Sequence, residues 1–236
     1  MTEQIQRRPI PMRQAPISAH MASALVGLGL SPNQVSIAST IFALAGAACF
    51  ILVSRLEILG ESSPLTASAL LAGAALCILG RLLCNMLDGM MAVEYGKRTA
   101  TGELYNEIPD RLSDTLFLAS AGYLASDNLA ALCVGLGWMA AVLALCTAYI
   151  RAFGARYMPN GPDYGGPMAK PQRMAALAIG ALITAVQINI CAEKSAMVIT
   201  LAVICAGTAL TCLRRLNNLA AAMTAAEKIR ADKLEK

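Results

Sequence analysis

Charge and histidine are scarce in this sequence. Charged residues make up 14% of the 236 residues, hydrophobic residues make up 57%, and the mean hydropathy is +0.57. A composition this apolar excludes a soluble domain with a polar surface and indicates a single membrane domain. The only histidine, His20, is a poor candidate for a catalytic role. None of the eight cysteines belongs to a Cys-x-x-Cys pair, so they are predicted to be small core residues.

Six apolar segments are predicted to be transmembrane helices. They lie near 34–54, 66–91, 112–127, 129–150, 174–192 and 195–213. Most are long enough to cross the roughly 30 Å of hydrocarbon in a bilayer as helices. The third begins inside a polar region and is short unless its helix starts near Asn106. The predicted fold is therefore all-α and polytopic, with six transmembrane helices in residues 34–213.

Positive charge is confined almost entirely to four segments. Of the 19 Lys and Arg residues, all except Arg55, Arg81 and Lys194 lie in the N-terminus, in 93–111, in 151–173 or in the tail from Arg214. With six spans these segments share one side of the membrane, which the positive-inside rule makes the cytoplasmic side. Residues 1–33 and the charged tail 214–236 are accordingly predicted to be cytoplasmic, in a bacterial-type inner membrane.

The N-terminal segment is predicted to lie on the membrane rather than to cross it. Residues 1–15 are polar, proline-rich and basic, so no cleavable signal peptide is expected. Residues 16–30 are predicted to form a short interfacial helix. The Ser31-Pro32 pair that follows is typical of a helix start, with Ser31 as the cap of the first span.

Two polar helix faces interrupt the apolar pattern. Asn85, Asp88 and Ala92 are three and four residues apart, and Asn106, Asp110 and Asp114 follow at intervals of four, so each set shares one face of a helix. The two faces, if opposed, would line a pocket with oxygen atoms. Carboxylates are costly near hydrocarbon, and those retained there usually line a site or a polar cavity.

The spacing of these residues resembles the signature of the CDP-alcohol phosphatidyltransferases. Five residues match that signature without a gap, and three positions depart from it. The matches are Asp88, Gly89, Ala92, Gly102 and Asp110; Asn85 and Asn106 stand where the family has aspartates, and Val93 stands where it has arginine.

The resemblance implies an enzyme of phospholipid synthesis and assigns roles to residues. Such an enzyme would transfer a phosphatidyl group from a CDP-lipid such as CDP-diacylglycerol to a hydroxyl acceptor and release CMP. The residues at the positions that bind Mg²⁺ or Mn²⁺ would be Asn85, Asp88, Asn106 and Asp110, and Asp110 would also be the base. The residues at the positions that bind the nucleotide would be Asp88, Gly89, Ala92 and Gly102, with Asn33 as a further contact. A homodimer in membrane lipid is implied, and no nucleic-acid partner is expected.

The asparagines leave several alternatives open. Each one removes a negative charge from a site meant for two dications, so either one metal suffices or Asp114 or Glu107 compensates. Asp114 could instead pair with Arg111 or Arg81, and Arg81 could serve phosphate binding in place of the arginine absent at Val93. A catalytically degenerate protein that binds CDP-lipid or scaffolds other enzymes is the alternative function.

The segment 149–173 is similar to the stretch joining the fourth and fifth helices in family members whose acceptor is a phosphorylated polyol. Arg151, Lys170 and Arg173 are therefore expected to bind an anionic acceptor such as glycerol phosphate or inositol phosphate. The alternative is that these charges only mark a cytoplasmic loop, and this interpretation is favoured for Arg156.

Overall fold

The structure is a computed structural model that describes residues 15–125, 128–158, 161–191 and 193–234, with side chains described as far as residue 228. All regular elements in these ranges are helices. They are α1 (Pro16–Gly27), α2 (Pro32–Ala38), α3 (Thr40–Ile58), α4 (Pro64–Glu94), α5 (Gly102–Gly122), α6 (Ala130–Gly154), α7 (Lys170–Cys191) and α8 (Ser195–Leu234). The all-α expectation is confirmed for these ranges, while the prediction that residues 1–14 are cytoplasmic falls outside them.

Local sequence accounts for where α2 and α4 begin. The Ser31 hydroxyl accepts from the backbone N–H of Gln34, whose side chain accepts from the N–H of Ser31, and Pro32 occupies the first turn. Such a capping box satisfies N–H groups that have no partner within the helix. Ser63 caps α4 ahead of Pro64 with a single hydrogen bond, since its hydroxyl accepts from the backbone N–H of Thr66. The predicted cap at Ser31 is therefore confirmed.

Five helical segments are long and apolar enough to cross a membrane, not the six expected. They are Pro32–Ile58, Pro64–Glu94, Ala130–Gly154, Lys170–Cys191 and Ser195–Lys228. The exception is α5, which begins at Gly102 and ends at Gly122, so it covers 112–122 of the third predicted span, 112–127. Its first half carries Glu103, Glu107 and Asp110, and these charges make the helix too polar to meet the same criterion.

Helix α5 is nevertheless an integral part of the bundle. It packs against α3 on one side and α6 on the other, while α4 packs against α3 and α7, and α8 packs against α6 and α7. Small residues bring α5 and α6 together: a Cβ built on Gly137 would lie 2.8 Å from the Gly122 Cα. Close helix contact through glycine is the usual way in which membrane helices gain packing energy. At its polar end, α5 is joined to α4 by hydrogen bonds from Arg81 and Asn85 to Asp110.

Both ends of the described part of the chain are helical. Helix α1 packs against α4, where the buried Ala22 contacts a cluster that includes Met86 and Met90, and its placement at a membrane interface stays a prediction. Helix α8 runs without interruption from Ser195 to Leu234, so the predicted span and the charged tail form one helix. Of the cysteines, Cys133 and Cys212 are buried, whereas Cys146 and Cys191 are exposed.

Candidate functional site

A cavity of about 560 Å³ opens where α4 ends and α5 begins. Helices α2, α4, α5, α6, α7 and α8 and residues 97–99 all contribute to its wall. The predicted site residues that line it are Asn33, Asn85, Asp88, Gly89, Ala92, Gly102, Asn106, Asp110, Arg151, Lys170 and Arg173. Asp114 is the predicted site residue that is not part of the lining.

The polar faces meet because the chain reverses between α4 and α5. Gly96 has a φ of 64°, a conformation that glycine adopts without the penalty a side chain would bring. A hydrogen bond of 3.2 Å from Asn33 Nδ2 to Thr99 Oγ1 ties the loop after this turn to α2. The sequence prediction that Asn85 and Asp88 face Asn106 and Asp110 across one pocket is consistent with this arrangement.

Asp88 is held by α2. Its side chain is buried, and Ser36 Oγ donates a hydrogen bond to Asp88 Oδ2. Ser36 lies in the second turn of the helix that Ser31 caps, so the capping box indirectly positions the carboxylate. The sequence analysis missed this role, since a serine in an apolar helix carries no signal that distinguishes it from a structural residue.

Asp110 is surrounded by positive charge. Its Oδ1 lies 2.7 Å from Arg81 Nη2 and 2.5 Å from Lys170 Nζ, and its Oδ2 accepts from Asn85 Nδ2 at 3.2 Å. Arg81 also donates from Nε to Ser113 Oγ at 3.0 Å. The suggestion that Arg81 pairs with Asp114 is therefore wrong in this structure: its ion-pair partner is Asp110.

Asp114 forms a separate buried ion pair. Arg173 Nη2 lies 2.7 Å from Asp114 Oδ2, and the side chains are 1% and 3% exposed. Lys170 Nζ is more distant, at 3.9 Å from Asp114 Oδ1. Of the two partners suggested from the sequence, Arg81 contacts Asp110 and Arg111 contacts Glu107. The partner of Asp114 comes from α7, which local spacing could not reveal.

Glu107 links two cations at the edge of the cavity. One carboxylate oxygen accepts from Arg111 and the other accepts from Arg151. Burial alone would raise the pKa of Glu107, but the charges of Arg151 and Arg111 outweigh this effect and hold the pKa below its ordinary value. Arg151 also lies over the Tyr164 ring, with its Cζ 5.4 Å from the ring centroid.

The loop between α6 and α7 is anchored on α8 by a residue that the sequence analysis did not single out. Arg215 is buried and donates to two carbonyl oxygens, that of Thr147 at 2.7 Å and that of Gly165 at 3.0 Å. Asn218 donates to Asp163 in the same loop at 2.9 Å. In sequence, Arg215 cannot be distinguished from the other cations of a positive-inside tail.

Oxygen atoms around the cavity could hold a divalent ion. Within the described ranges, no three Asp, Glu, His or Cys residues come together as a metal-binding group. Asn85 Oδ1 is buried and has no hydrogen-bond partner in the described structure, and Asp88 and Asn106 supply oxygens to the same cavity. Carboxylate and amide oxygens are ligands that Mg²⁺ and Mn²⁺ accept. The carboxylates of Asp110 and Asp114 already contact cations, and their predicted metal roles stay predictions.

Comparison with known proteins identifies the fold. The sequence matches no protein-family model, and no curated protein matches it. The structure is similar to a crystal structure of Mycobacterium tuberculosis phosphatidylinositol phosphate synthase with CDP-DAG bound: the TM-score is 0.67 at 24% identity, covering 87% of this chain and 94% of that one. A crystal structure of the same synthase with manganese and citrate gives a TM-score of 0.66 at 24% identity, covering 86% and 88%. The fold is thus that of a CDP-alcohol phosphatidyltransferase, as the resemblance in sequence implied.

Proposed function

We propose that this chain transfers a phosphatidyl group from a CDP-lipid, such as CDP-diacylglycerol, to the hydroxyl of a phosphorylated acceptor and releases CMP. The observation that carries the proposal is the cavity in which the matching residues Asp88, Gly89, Ala92, Gly102 and Asp110 meet. The similar synthase was crystallised with CDP-DAG bound, which supports a ligand of that class here.

The nucleotide part of the substrate is proposed to lie against the end of α4. Gly89, which has no side chain, and Ala92, which has only a methyl group, line the cavity there and leave room for close approach of a ligand to the helix backbone. Gly102 lies opposite at the start of α5, and Asn33 closes the same side through its hydrogen bond with Thr99. These residues would bind the cytidine and orient the pyrophosphate toward Asp88.

A divalent ion, Mg²⁺ or Mn²⁺, would be held by Asp88 together with the side-chain oxygens of Asn85 and Asn106. Bound there, it would neutralise charge on the phosphates during displacement of CMP. Ser36 has a positioning role in this arrangement, because its hydrogen bond orients the Asp88 carboxylate. Manganese in a crystal of the similar synthase supports a divalent ion in this fold.

The acceptor is proposed to bind between α6 and α7. Arg151 and Lys170 are partly exposed to the cavity, and each contacts a carboxylate that an acceptor phosphate could replace. Arg173 lines the cavity as well, and its Nε and Nη1 have no hydrogen-bond partner in the described structure. Guanidinium groups suit phosphate because several N–H donors lie in one plane. Glycerol phosphate and inositol phosphate have both the phosphate and the free hydroxyl required.

Asp110 is proposed to take the proton from the acceptor hydroxyl. While Lys170 and Arg81 both contact its Oδ1, the carboxylate is a weak base, because nearby positive charge favours the ionised form. An acceptor phosphate that draws Lys170 away would remove one of these two charges. Binding of the acceptor would thus strengthen the base at the point in the reaction where it is needed.

The membrane setting follows the distribution of charge. The cavity end carries the 93–111 and 151–173 cations, and we propose that it faces the cytoplasm in a bacterial-type inner membrane, where nucleotides are available. In this arrangement α5 serves as the sixth crossing helix, shielded from lipid on two sides by α3 and α6. A homodimer remains the proposed assembly.

A non-catalytic CDP-lipid-binding or scaffolding protein is the second candidate. The observations that favour it are the neutral Asn85 and Asn106 at two metal positions and the cations that contact Asp110. Such a protein would retain nucleotide affinity without releasing CMP.

Measurement of CMP release by the purified protein decides between these functions. The assay would contain CDP-diacylglycerol and Mg²⁺, with glycerol phosphate and inositol phosphate tested separately. We expect release that requires both an acceptor and the metal, and that is lost in Asp88→Asn but kept in the control Glu61→Gln, an exposed site at the opposite end of the bundle. CDP-lipid binding without CMP release from any acceptor would establish the non-catalytic function instead.

A further inference from the structure

The buried charges that α4, α5 and α7 place around the cavity balance one another, and α8 adds one more buried cation to its wall, Arg215. Three carboxylates and three cations lie within one region of α4, α5 and α7. None of them is more than 16% exposed. They are Asp88, Asp110, Asp114, Arg81, Lys170 and Arg173. Two dications would bring four further positive charges to this region, which has no excess negative charge to offset them. Charge in a region of low dielectric constant is poorly screened, so such an excess is strongly unfavourable.

We infer that Arg81 and, until an acceptor binds, Lys170 act as built-in cations at Asp110, and that the chain binds a single divalent ion, on the Asp88 side of the cavity. The inference deepens the proposed function and rests on it for the role of that ion, which is to bind the phosphates of the CDP-lipid. The number of ions bound can nevertheless be measured without turnover, so the two ideas can fail independently.

Arg81 is a permanent part of the Asp110 environment. Its side chain is 3% exposed, and two of its nitrogens are engaged, Nη2 with Asp110 and Nε with Ser113. A guanidinium stays charged at any pH that the folded protein experiences, so it cannot give way by losing a proton. A metal ion at Asp110 would have to share the carboxylate with this fixed charge.

Asn85 complements Arg81, because both side chains contact Asp110. Its amide is therefore more than an aspartate ligand that has been lost. Its Nδ2 donates to Asp110 Oδ2, and its Oδ1 is left buried without a partner in the described part of the chain. An aspartate at this position would have no N–H to donate and would oppose the Asp110 carboxylate. The amide therefore satisfies the Asp110 side and leaves its oxygen available to an ion held by Asp88.

Titration of the substrate-free protein with Mn²⁺ tests the inference, with free Mn²⁺ measured by electron paramagnetic resonance. We expect one Mn²⁺ per chain in the unaltered protein, loss of that ion in Asp88→Asn, and its retention in Asp110→Asn. Two ions per chain, or an Asp110→Asn variant that loses the ion as fully as Asp88→Asn, would overturn the inference.

A gain of binding provides the converse test. The double substitution Arg81→Gln with Asn85→Asp removes the fixed cation and restores the carboxylate, and we expect it to bind a second Mn²⁺. The matched control, Arg98→Gln with Asn85→Asp, removes an exposed cation of the same cavity and should still bind one. A second ion in this control would show that any loss of positive charge suffices, which contradicts the specific role of Arg81.

The outcomes separate this inference from the proposed function. One ion per chain without CMP release would reject the catalytic proposal and keep the assignment of the cations. CMP release with two ions per chain would keep the catalytic proposal and reject the inference of a single ion. If the Arg81 variants do not fold, as size-exclusion chromatography would show, the ion count of the unaltered protein and of Asp110→Asn still decides the matter.

Discussion

The buried pair of Asp114 and Arg173 is predicted to stabilise the fold rather than to bind metal. The two groups are 2.7 Å apart, and their side chains are 3% and 1% exposed. Removing one partner of a buried pair leaves the other charge unpaired and typically costs about 3–5 kcal/mol of unfolding free energy. Asp114→Asn should fall in this range. Arg173→Met should cost less, because Lys170 Nζ, 3.9 Å away, still faces the remaining carboxylate.

A double-mutant cycle measures this coupling. The double variant should lose less than the sum of the single variants by roughly 2–3 kcal/mol, because it leaves neither charge alone. Unfolding would be followed by SDS titration in mixed micelles. Glu61→Gln provides the control: Glu61 is exposed at the other end of the bundle, so removing its charge should change the unfolding free energy by less than about 0.5 kcal/mol.

The opposite result has a clear meaning. If Asp114→Asn keeps the stability of the parent protein but lowers its affinity for Mn²⁺, then Asp114 is a metal ligand and the argument from the ion pair is wrong. A cycle without coupling would likewise show that Arg173 does not act on Asp114.

Three further predictions concern the acceptor, the packing and the topology. Arg151→Ala should raise the acceptor KM by roughly 10- to 150-fold, since a lost charged hydrogen bond costs about 1.5–3 kcal/mol. Arg156→Ala is the control, because Arg156 does not line the cavity. Equal acceptor kinetics in the two variants would refute the contact between Arg151 and the acceptor. Gly137→Ala should lower the unfolding free energy by about 1–3 kcal/mol, because the new Cβ meets backbone of α5, whereas Gly135→Ala, with nothing within 4 Å, should not. In a cysteine-free background, an impermeant thiol reagent added to intact cells should label Glu61→Cys and spare Arg156→Cys; labelling of the second would reverse the proposed orientation.

Much of the site could be predicted because it depends on helical spacing. Asn85 and Asp88 share a face of one helix, Asn106 and Asp110 share a face of the next, and the structure brings these four to one cavity. The Ser31 cap was likewise readable, since a capping box needs only residues three apart. Features of this kind are set by local backbone geometry and need no knowledge of distant contacts.

The pairing of charges could not be predicted in the same way. Sequence spacing offered Asp114 as a partner for Arg81, but the structure pairs Arg81 with Asp110, and Asp114 with Arg173, 59 positions along the chain. Several cations were available to each carboxylate. The choice among them depends on which helices are neighbours and on how deep each side chain lies.

The sequence by itself determined the helical membrane class, the polar faces and the concentration of positive charge near the site. Composition and periodicity are sufficient for these, because burial of apolar surface and satisfaction of backbone hydrogen bonds leave few alternatives for such a chain. Only the tertiary structure decided that α5 lies between α3 and α6 despite its charges, and that two cations, Arg81 and Lys170, contact Asp110. Both depend on contacts between residues far apart in sequence, where the energy of a charge is set by the partners that folding supplies.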